Sequence, residues 1–124
     1  MPKPVLKLEG RPHVHLIVSD MKTSLDFYIR VLGFYYVRGV QEMAWLTLGD
    51  LLLTLSPGEP LAGQQNYFGW SIGAFEQLDE YYKALLARAQ LLSAPPDRNE
   101  GRLYFFLYDP DGYPLVFSCD PLMQ

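Results

Sequence analysis

Two histidines stand two residues apart, in the segment His13-Val14-His15. Residues at that spacing in a β-strand point to the same side, so both imidazoles would share one face. Neutral imidazole binds metals, and it also donates or accepts hydrogen bonds with a ligand. The alternative is two histidines that hydrogen-bond to neighbouring side chains or water. The pair is therefore a candidate for contacting a ligand.

A second candidate group lies on a predicted β-hairpin. Two apolar segments, residues 44–48 and 51–55, flank a Gly49-Asp50 turn, which sets the register of the strands. One face is then wholly apolar and belongs to the core. The other is mixed, as expected of a ligand wall, and carries Trp45, Thr47, Leu52 and Thr54. Trp45 would be a stacking platform for a planar or cationic ligand, or else an aromatic plug in a collapsed site.

The elements around these residues repeat. In the first half, a strand over His13–Val18 precedes a helix over Met21–Leu32, with Ser19 or Asp20 as N-cap and Gly33 as left-handed C-cap. A strand over residues 34–40 leads into the hairpin.

In the second half, a strand over Tyr67–Ile72 precedes a helix over Ala74–Leu92. A closing hairpin, residues 103–108 and 113–119, surrounds the turn residues 109–112. Cys119 alternates with apolar residues and is predicted to be a core thiol.

Composition narrows the class of protein. The chain has 124 residues, 49% of them hydrophobic, and a formal charge of -4. This predicts one globular domain, residues 1–124, and disfavours nucleic-acid binding, which needs a basic surface. No apolar run approaches the roughly 20 residues that span a bilayer. We expect a cytoplasmic protein without membrane contact.

The pattern predicts an α+β fold of two tandem βαβββ modules. Module one covers about residues 9–56, a linker rich in proline and glycine covers 57–65, and module two covers about 66–120. Two curved sheets, each backed by a helix, would leave open faces that meet as a cup.

In this order and spacing, the segments resemble the vicinal-oxygen-chelate superfamily, which includes glyoxalase, bleomycin-resistance and extradiol-dioxygenase proteins. The segments that carry the resemblance are residues 13–20, 24–28, 31–34 and 108–112. The resemblance implies the cup-shaped fold and a homodimer.

The resemblance also implies where a metal would bind. Family enzymes take a His from the first strand, a His or Glu from a middle strand and a Glu from the last. His13 matches the first position, but the others fall on or near Gly69 and on Val116. Even with His15 added, two imidazoles without a carboxylate make a poor site for a catalytic metal. We therefore expect no metal and no cofactor.

The leading prediction is a metal-independent protein, not an enzyme, that binds a small antibiotic-like or aromatic molecule. The predicted ligand-binding residues are His13, His15, Trp45, Thr47, Leu52, Thr54, Tyr67, Gly69, Tyr104, Phe106, Val116 and Ser118. One alternative is a metal-dependent lyase, isomerase, dioxygenase or thiol transferase with a displaced site that uses Glu42 or Glu100. Another is a dimeric interaction module whose own side chains fill the cup.

Overall fold

The computed structural model describes residues 5–61, 63, 65–89 and 92–119. Its elements form two sheets, ordered β1-β4-β3-β2 and β5-β7-β6, which makes the fold α+β as predicted. None of the helices in the described ranges is long and apolar enough to cross a membrane. In chain order the elements are β1 (His13–Val18), α1 (Met21–Asp26) with a π-helical turn (Phe27–Val31), β2 (Tyr35–Val40), β3 (Met43–Leu48), β4 (Leu51–Pro57), β5 (Phe68–Ser71), α2 (Phe75–Leu86), β6 (Tyr104–Tyr108) and β7 (Pro114–Ser118).

The β3–β4 hairpin has the predicted register. Leu48 pairs with Leu51, Thr47 with Leu52 and Trp45 with Thr54. Gly49 adopts a φ of 59°, which glycine reaches without steric cost. Alternation then buries the apolar face, so the mixed face is left on the outer side of the first sheet.

The first helix begins at the predicted Met21 and ends at Val31, one residue before the predicted Leu32, and its second half is a π-helix. The Asp20 side chain accepts a hydrogen bond from the Thr23 N–H, and Gly33 ends the segment with a φ of 87°. Between them the α-helix passes into a π-helical turn at Phe27. The Tyr28 side chain is fully buried there, in a core cluster that includes Leu16 and Leu46 of module one and Leu115 of module two.

The second helix is shorter than predicted. It ends at Leu86 rather than continuing to Leu92, and residues 90 and 91 lie outside the described part of the chain. Ser93 donates its N–H to the Phe106 carbonyl, and its hydroxyl accepts from the Phe106 N–H. These bonds draw the chain onto the second sheet, where Leu92 forms an isolated bridge with Leu107. The βαβββ pattern implies three strands after this helix; the described residues form two, β6 and β7, and this bridge.

The apolar interior has two parts that meet at one tryptophan. Leu16, Leu46 and Leu53 belong to the first part, and Leu78 and Phe105 to the second. The Trp70 side chain packs against both, and its indole N–H donates to the Leu48 carbonyl at 3.2 Å. This bond ties β5 of module two to the hairpin of module one.

A buried hydrogen bond also joins the modules. The Tyr28 hydroxyl donates to Asp109 Oδ2 at 2.7 Å, and Asp109 Oδ1 accepts from the Asp111 and Tyr113 N–H groups at 2.9 and 2.8 Å. Asp109 is 1% exposed, and burial raises the pKa of its carboxyl and of the Tyr28 hydroxyl. This carboxyl organises the predicted turn, and Gly112 adopts its positive φ.

Candidate functional site

A continuous row of side chains crosses the outer side of the first sheet. Strand register pairs His15 with Thr54, Thr54 with Trp45, and Trp45 with Arg38. Direct partners in a sheet point to the same side, so the row spans all four strands. We call this outer surface the module-one face, which comprises His13, His15, Arg38, Trp45, Thr47, Leu52 and Thr54.

The row has polar groups at both ends. His15 Nε2 lies 2.7 Å from Ser56 Oγ, and the Arg38 guanidinium carbon lies 4.9 Å from the centre of the Trp45 ring. A guanidinium in that position is a cation–π contact, which orients it over the indole. A cationic ligand that stacked on the same ring face would have to displace Arg38.

A parallel row consists of His13, Leu52, Thr47 and Tyr35, joined by the same registers. The Arg11 guanidinium closes one end. It donates to the Thr47 hydroxyl and to the Gly49 and Asp50 carbonyls, the latter two at 2.7 and 3.1 Å. Arg11 therefore holds the hairpin turn against the segment that leads into β1.

The outer side of the second sheet is aromatic. We call it the module-two face: Tyr67, Gly69, Tyr104, Phe106, Val116 and Ser118. The Phe106 ring makes edge-on contacts with Tyr67 and Tyr104, with ring centres 5.2 and 5.5 Å apart. Five of these residues line a cavity of about 370 Å³, together with Gly101 and Leu103; they are Tyr67, Tyr104, Phe106, Val116 and Ser118.

Gly69 and Val116 are direct partners in the parallel pairing of β5 with β7. The resemblance places the second metal ligand at or beside Gly69 and the third at Val116, and neither of these side chains can coordinate a metal. A Cβ built on Gly69 would fall inside contact distance of the Val116 carbonyl oxygen. A ligating side chain at position 69 would therefore require the strands to shift, and the residues do not fit the family's metal.

The substitute carboxylates are also poorly placed for a displaced site. Glu42 is exposed in the β2–β3 turn, and Glu100 is exposed in a turn that its own N–H ties to Asp97 Oδ1 at 3.4 Å. Within the described ranges, His, Cys, Asp and Glu side chains form no group of three suited to holding a metal ion.

The predicted site residues therefore lie in two groups. One cavity is lined from both groups: His15 and Tyr67 both border a space of about 320 Å³ beside Ile17, Leu61 and Tyr113. Trp45, Thr47, Leu52 and Thr54 line neither this space nor the cavity of the module-two face. They remain on the open module-one face.

Two arginines were not predicted from the sequence: Arg38 on the module-one face, and Arg11, which contacts Thr47 of that face. Arg11 continues the alternation of His13 and His15, so its position was readable from the spacing. Arg38 was hidden by a register shift in β2 between Tyr36 and Arg38, because an extra residue reverses the alternation that follows it. Nothing in the local sequence marks that bulge.

Comparison with known proteins identifies the family to which this fold belongs. A family model described as the Glyoxalase/Bleomycin resistance protein/Dioxygenase superfamily matches residues 10–117. The chain is 30% identical over 119 residues to glutathione transferase FosA from Serratia marcescens, with 93% of this chain and 84% of that protein covered.

Two solved structures share the fold at lower identity. The fosfomycin resistance protein FosX from Listeria monocytogenes superposes with a TM-score of 0.77 at 21% identity, and 94% of this chain and 97% of that one are covered. FosX from Mesorhizobium loti gives 0.75 at 20% identity, with 94% and 95% covered. The chain therefore belongs to the glyoxalase/bleomycin resistance protein/dioxygenase superfamily.

Proposed function

We propose that this protein binds a small, largely apolar or aromatic molecule in its cup and that binding needs no metal. The observation that carries the proposal is the pairing of Gly69 with Val116. The resemblance assigns metal ligands to Val116 and to Gly69 or a neighbouring residue, and here Gly69 and Val116 offer a hydrogen atom and an isopropyl group. A ligand at this point meets apolar surface instead of a Lewis acid.

The module-two face suits such a ligand. Its cavity of about 370 Å³ falls within the range of small-molecule pockets, and three aromatic rings line it. Burying apolar surface yields about 25 cal/mol per Å², and edge-on rings add directional contacts. The Phe106 ring, held between Tyr67 and Tyr104, would be the anchor for a planar molecule.

We propose that the working form is a homodimer, side by side or swapped. Every residue of β2 is exposed, and the Tyr35 side chain is 74% exposed at this edge of the first sheet. An edge strand with apolar side chains on both sides readily pairs with another chain. A second copy could cover this edge and add a wall to the module-one face.

A second candidate is a metal-dependent thiol transferase, favoured by the 30% identity to a glutathione transferase. It would require carboxylates from outside the family positions, such as Glu42 or Glu100, to reach a metal bound by His13. Their exposed positions in turns weigh against this alternative.

Calorimetric titration with 1-naphthalenemethanol, a neutral aromatic probe, in buffer containing EDTA tests the proposal. We expect saturable binding that Tyr104→Ala weakens several-fold and Tyr81→Ala leaves unchanged. The two tyrosines are matched in exposure, 43% and 40%, but Tyr81 lies on α2, away from the module-two face. Binding that appears only when a divalent metal is added would favour the thiol transferase.

A further inference from the structure

We infer that a second cavity, separate from the cup, binds a small carboxylate with an apolar body, and that Arg88 binds its charged group. The cavity has a volume of about 440 Å³ and lies on the side of the second sheet that packs against α2. It shares no lining residue with the cavities of about 320 and 370 Å³. The inference therefore goes beyond the proposed function, which concerns the outer faces of the sheets.

Elements of both modules enclose this cavity. Module one supplies the end of its first helix and the β3–β4 turn, and module two supplies α2, the end of β5, and β7. Ligand sites are common where two such units meet, and they are mostly apolar with a few polar groups. The apolar wall of this cavity includes Val31, Leu32, Leu48, Trp70, Leu85 and Phe117.

The Trp70 side chain is a fixed part of that wall. Its indole N–H donates to the Leu48 carbonyl at 3.2 Å, and its ring stacks on Phe117 with the ring centres 5.1 Å apart. Phe117 stacks in turn on Phe105, with the ring centres 5.2 Å apart. These contacts hold the aromatic wall in place before a ligand binds, so little side-chain freedom is lost on binding.

Arg88 supplies the positive charge. Four lining residues, Tyr81, Ala84, Leu85 and Arg88, have the spacing that places them on one side of a helix. The α-helix ends at Leu86, but the Arg88 N–H still donates to the Leu85 carbonyl at 3.0 Å, so the chain keeps its turn. Arg88 lines the cavity and is exposed, which places it at the mouth.

No acidic side chain of the described residues lines this cavity. Arg88 also borders a neighbouring cavity beside Asp26 and Asp109. Asp26 already pairs with Arg30 at 3.0 Å. Asp109 accepts from the Tyr28 hydroxyl at 2.7 Å. Arg88 forms no ion pair in the part of the chain that the structure describes, so its planar fork of N–H donors can bind a carboxylate through two parallel hydrogen bonds.

The end of α2 opposes an anion only weakly. Carbonyl groups at a helix C-terminus carry partial negative charge. Here the Leu85 carbonyl accepts from the N–H groups of Arg88 and Ala89, at 3.0 and 2.8 Å, so it is already paired. A charge-assisted hydrogen bond from a guanidinium is stronger than the remaining repulsion. Preference for an anion must therefore depend on Arg88.

The fluorescence of Trp70 reports on this cavity directly. The chain has two tryptophans, so Trp70 is the sole one in Trp45→Phe. Octanoate, 1-octanol and octylamine are titrated into this variant at one neutral pH and one salt concentration. We expect octanoate to change the emission saturably and to bind about tenfold more tightly than 1-octanol, and octylamine to bind more weakly than either.

Two pairs of variants in the same background locate the ligand. Arg88→Gln should remove the tenfold preference for octanoate, whereas Arg30→Gln, which removes an arginine paired with Asp26, should keep it. Ala84→Phe places a ring in the cavity and should weaken octanoate binding by about tenfold. Ala87→Phe changes an exposed alanine that does not line the cavity and should leave binding unchanged.

Equal melting temperatures establish that the variants are folded, and Ala84→Leu replaces Ala84→Phe if the larger ring lowers stability. Octanoate that leaves Trp70 emission unchanged, or binds Ala84→Phe as tightly as before, would overturn the site. Equal binding of octanoate and 1-octanol, or a preference that Arg88→Gln retains, would overturn the role of Arg88. These results leave the proposed function intact, since a different probe and Tyr104→Ala test it.

Discussion

Gly69 and Val116 lie directly opposite each other on β5 and β7, with no room between them for a larger side chain at position 69. The pair closes the floor of the module-two face with backbone and an isopropyl group. Because the two residues are so close, even one methyl group added at position 69 should disturb the packing of β5 against β7.

Gly69→Ala should therefore destabilise the protein by about 1–3 kcal/mol, because an overpacked methyl forces the strands apart. The matched control is Gly73→Ala, where an added Cβ meets no heavy atom within 4 Å. Chemical denaturation monitored by circular dichroism measures both variants. Equal stability of Gly69→Ala and the unmodified chain would show that β5 and β7 are more loosely packed than described.

Removal of the Tyr28 hydroxyl should also be costly. Tyr28→Phe leaves Asp109 Oδ2 without its donor in a buried site, which predicts a loss of about 1–3 kcal/mol in the free energy of unfolding. Tyr81→Phe removes a hydroxyl from a residue that is 40% exposed and should have almost no effect. A similarly small effect at both positions would mean that the bond between the modules contributes little.

The raised pKa of Asp109 predicts a pH dependence. Between its ordinary pKa and its raised value, the folded protein holds a proton that the unfolded chain has released. The Asp109 contribution to stability is complete below the ordinary pKa and is lost as pH rises through the raised one. Asparagine cannot titrate, so the stability of Asp109→Asn should not fall over this pH range. The stability of Asp26→Asn, which keeps Asp109, should still fall. Parallel pH profiles for Asp109→Asn and the unmodified protein would contradict the raised pKa.

The proposed dimer depends on the exposed edge at β2. Tyr35→Lys places a charge on that edge and should shift the protein from dimer to monomer in light scattering coupled to size exclusion. Tyr81→Lys, an exposed tyrosine on α2, should leave the mass unchanged. A dimer that persists in Tyr35→Lys would place the interface elsewhere.

Local signals in the sequence predicted much of the fold. The Gly49-Asp50 turn and the alternation around it determined the pairing of Trp45 with Thr54, because a hairpin's register depends only on its turn and its strands. The bounds of the strand His13–Val18 were also predicted correctly, because they depend on local signals: the alternation of its residues and the helix N-cap at Asp20 that follows it.

Features that depend on distant parts of the chain were not predicted. The end of α2 is fixed by Ser93 bonding to Phe106, and the link between the modules is fixed by Tyr28 bonding to Asp109. Arg38 lies on the module-one face only because of the bulge between Tyr36 and Arg38, and the local sequence does not indicate that bulge.

The most direct test of metal-independent binding is elemental analysis of the untagged protein after dialysis against Mn²⁺, Fe²⁺, Ni²⁺ and Zn²⁺ in turn, with His13→Ala alongside. Because Gly69 and Val116 cannot coordinate, we expect retention far below one ion per chain, and no difference between the two proteins. Retention near one ion per chain that His13→Ala abolishes would contradict the account and establish a metal site built from residues outside the family positions.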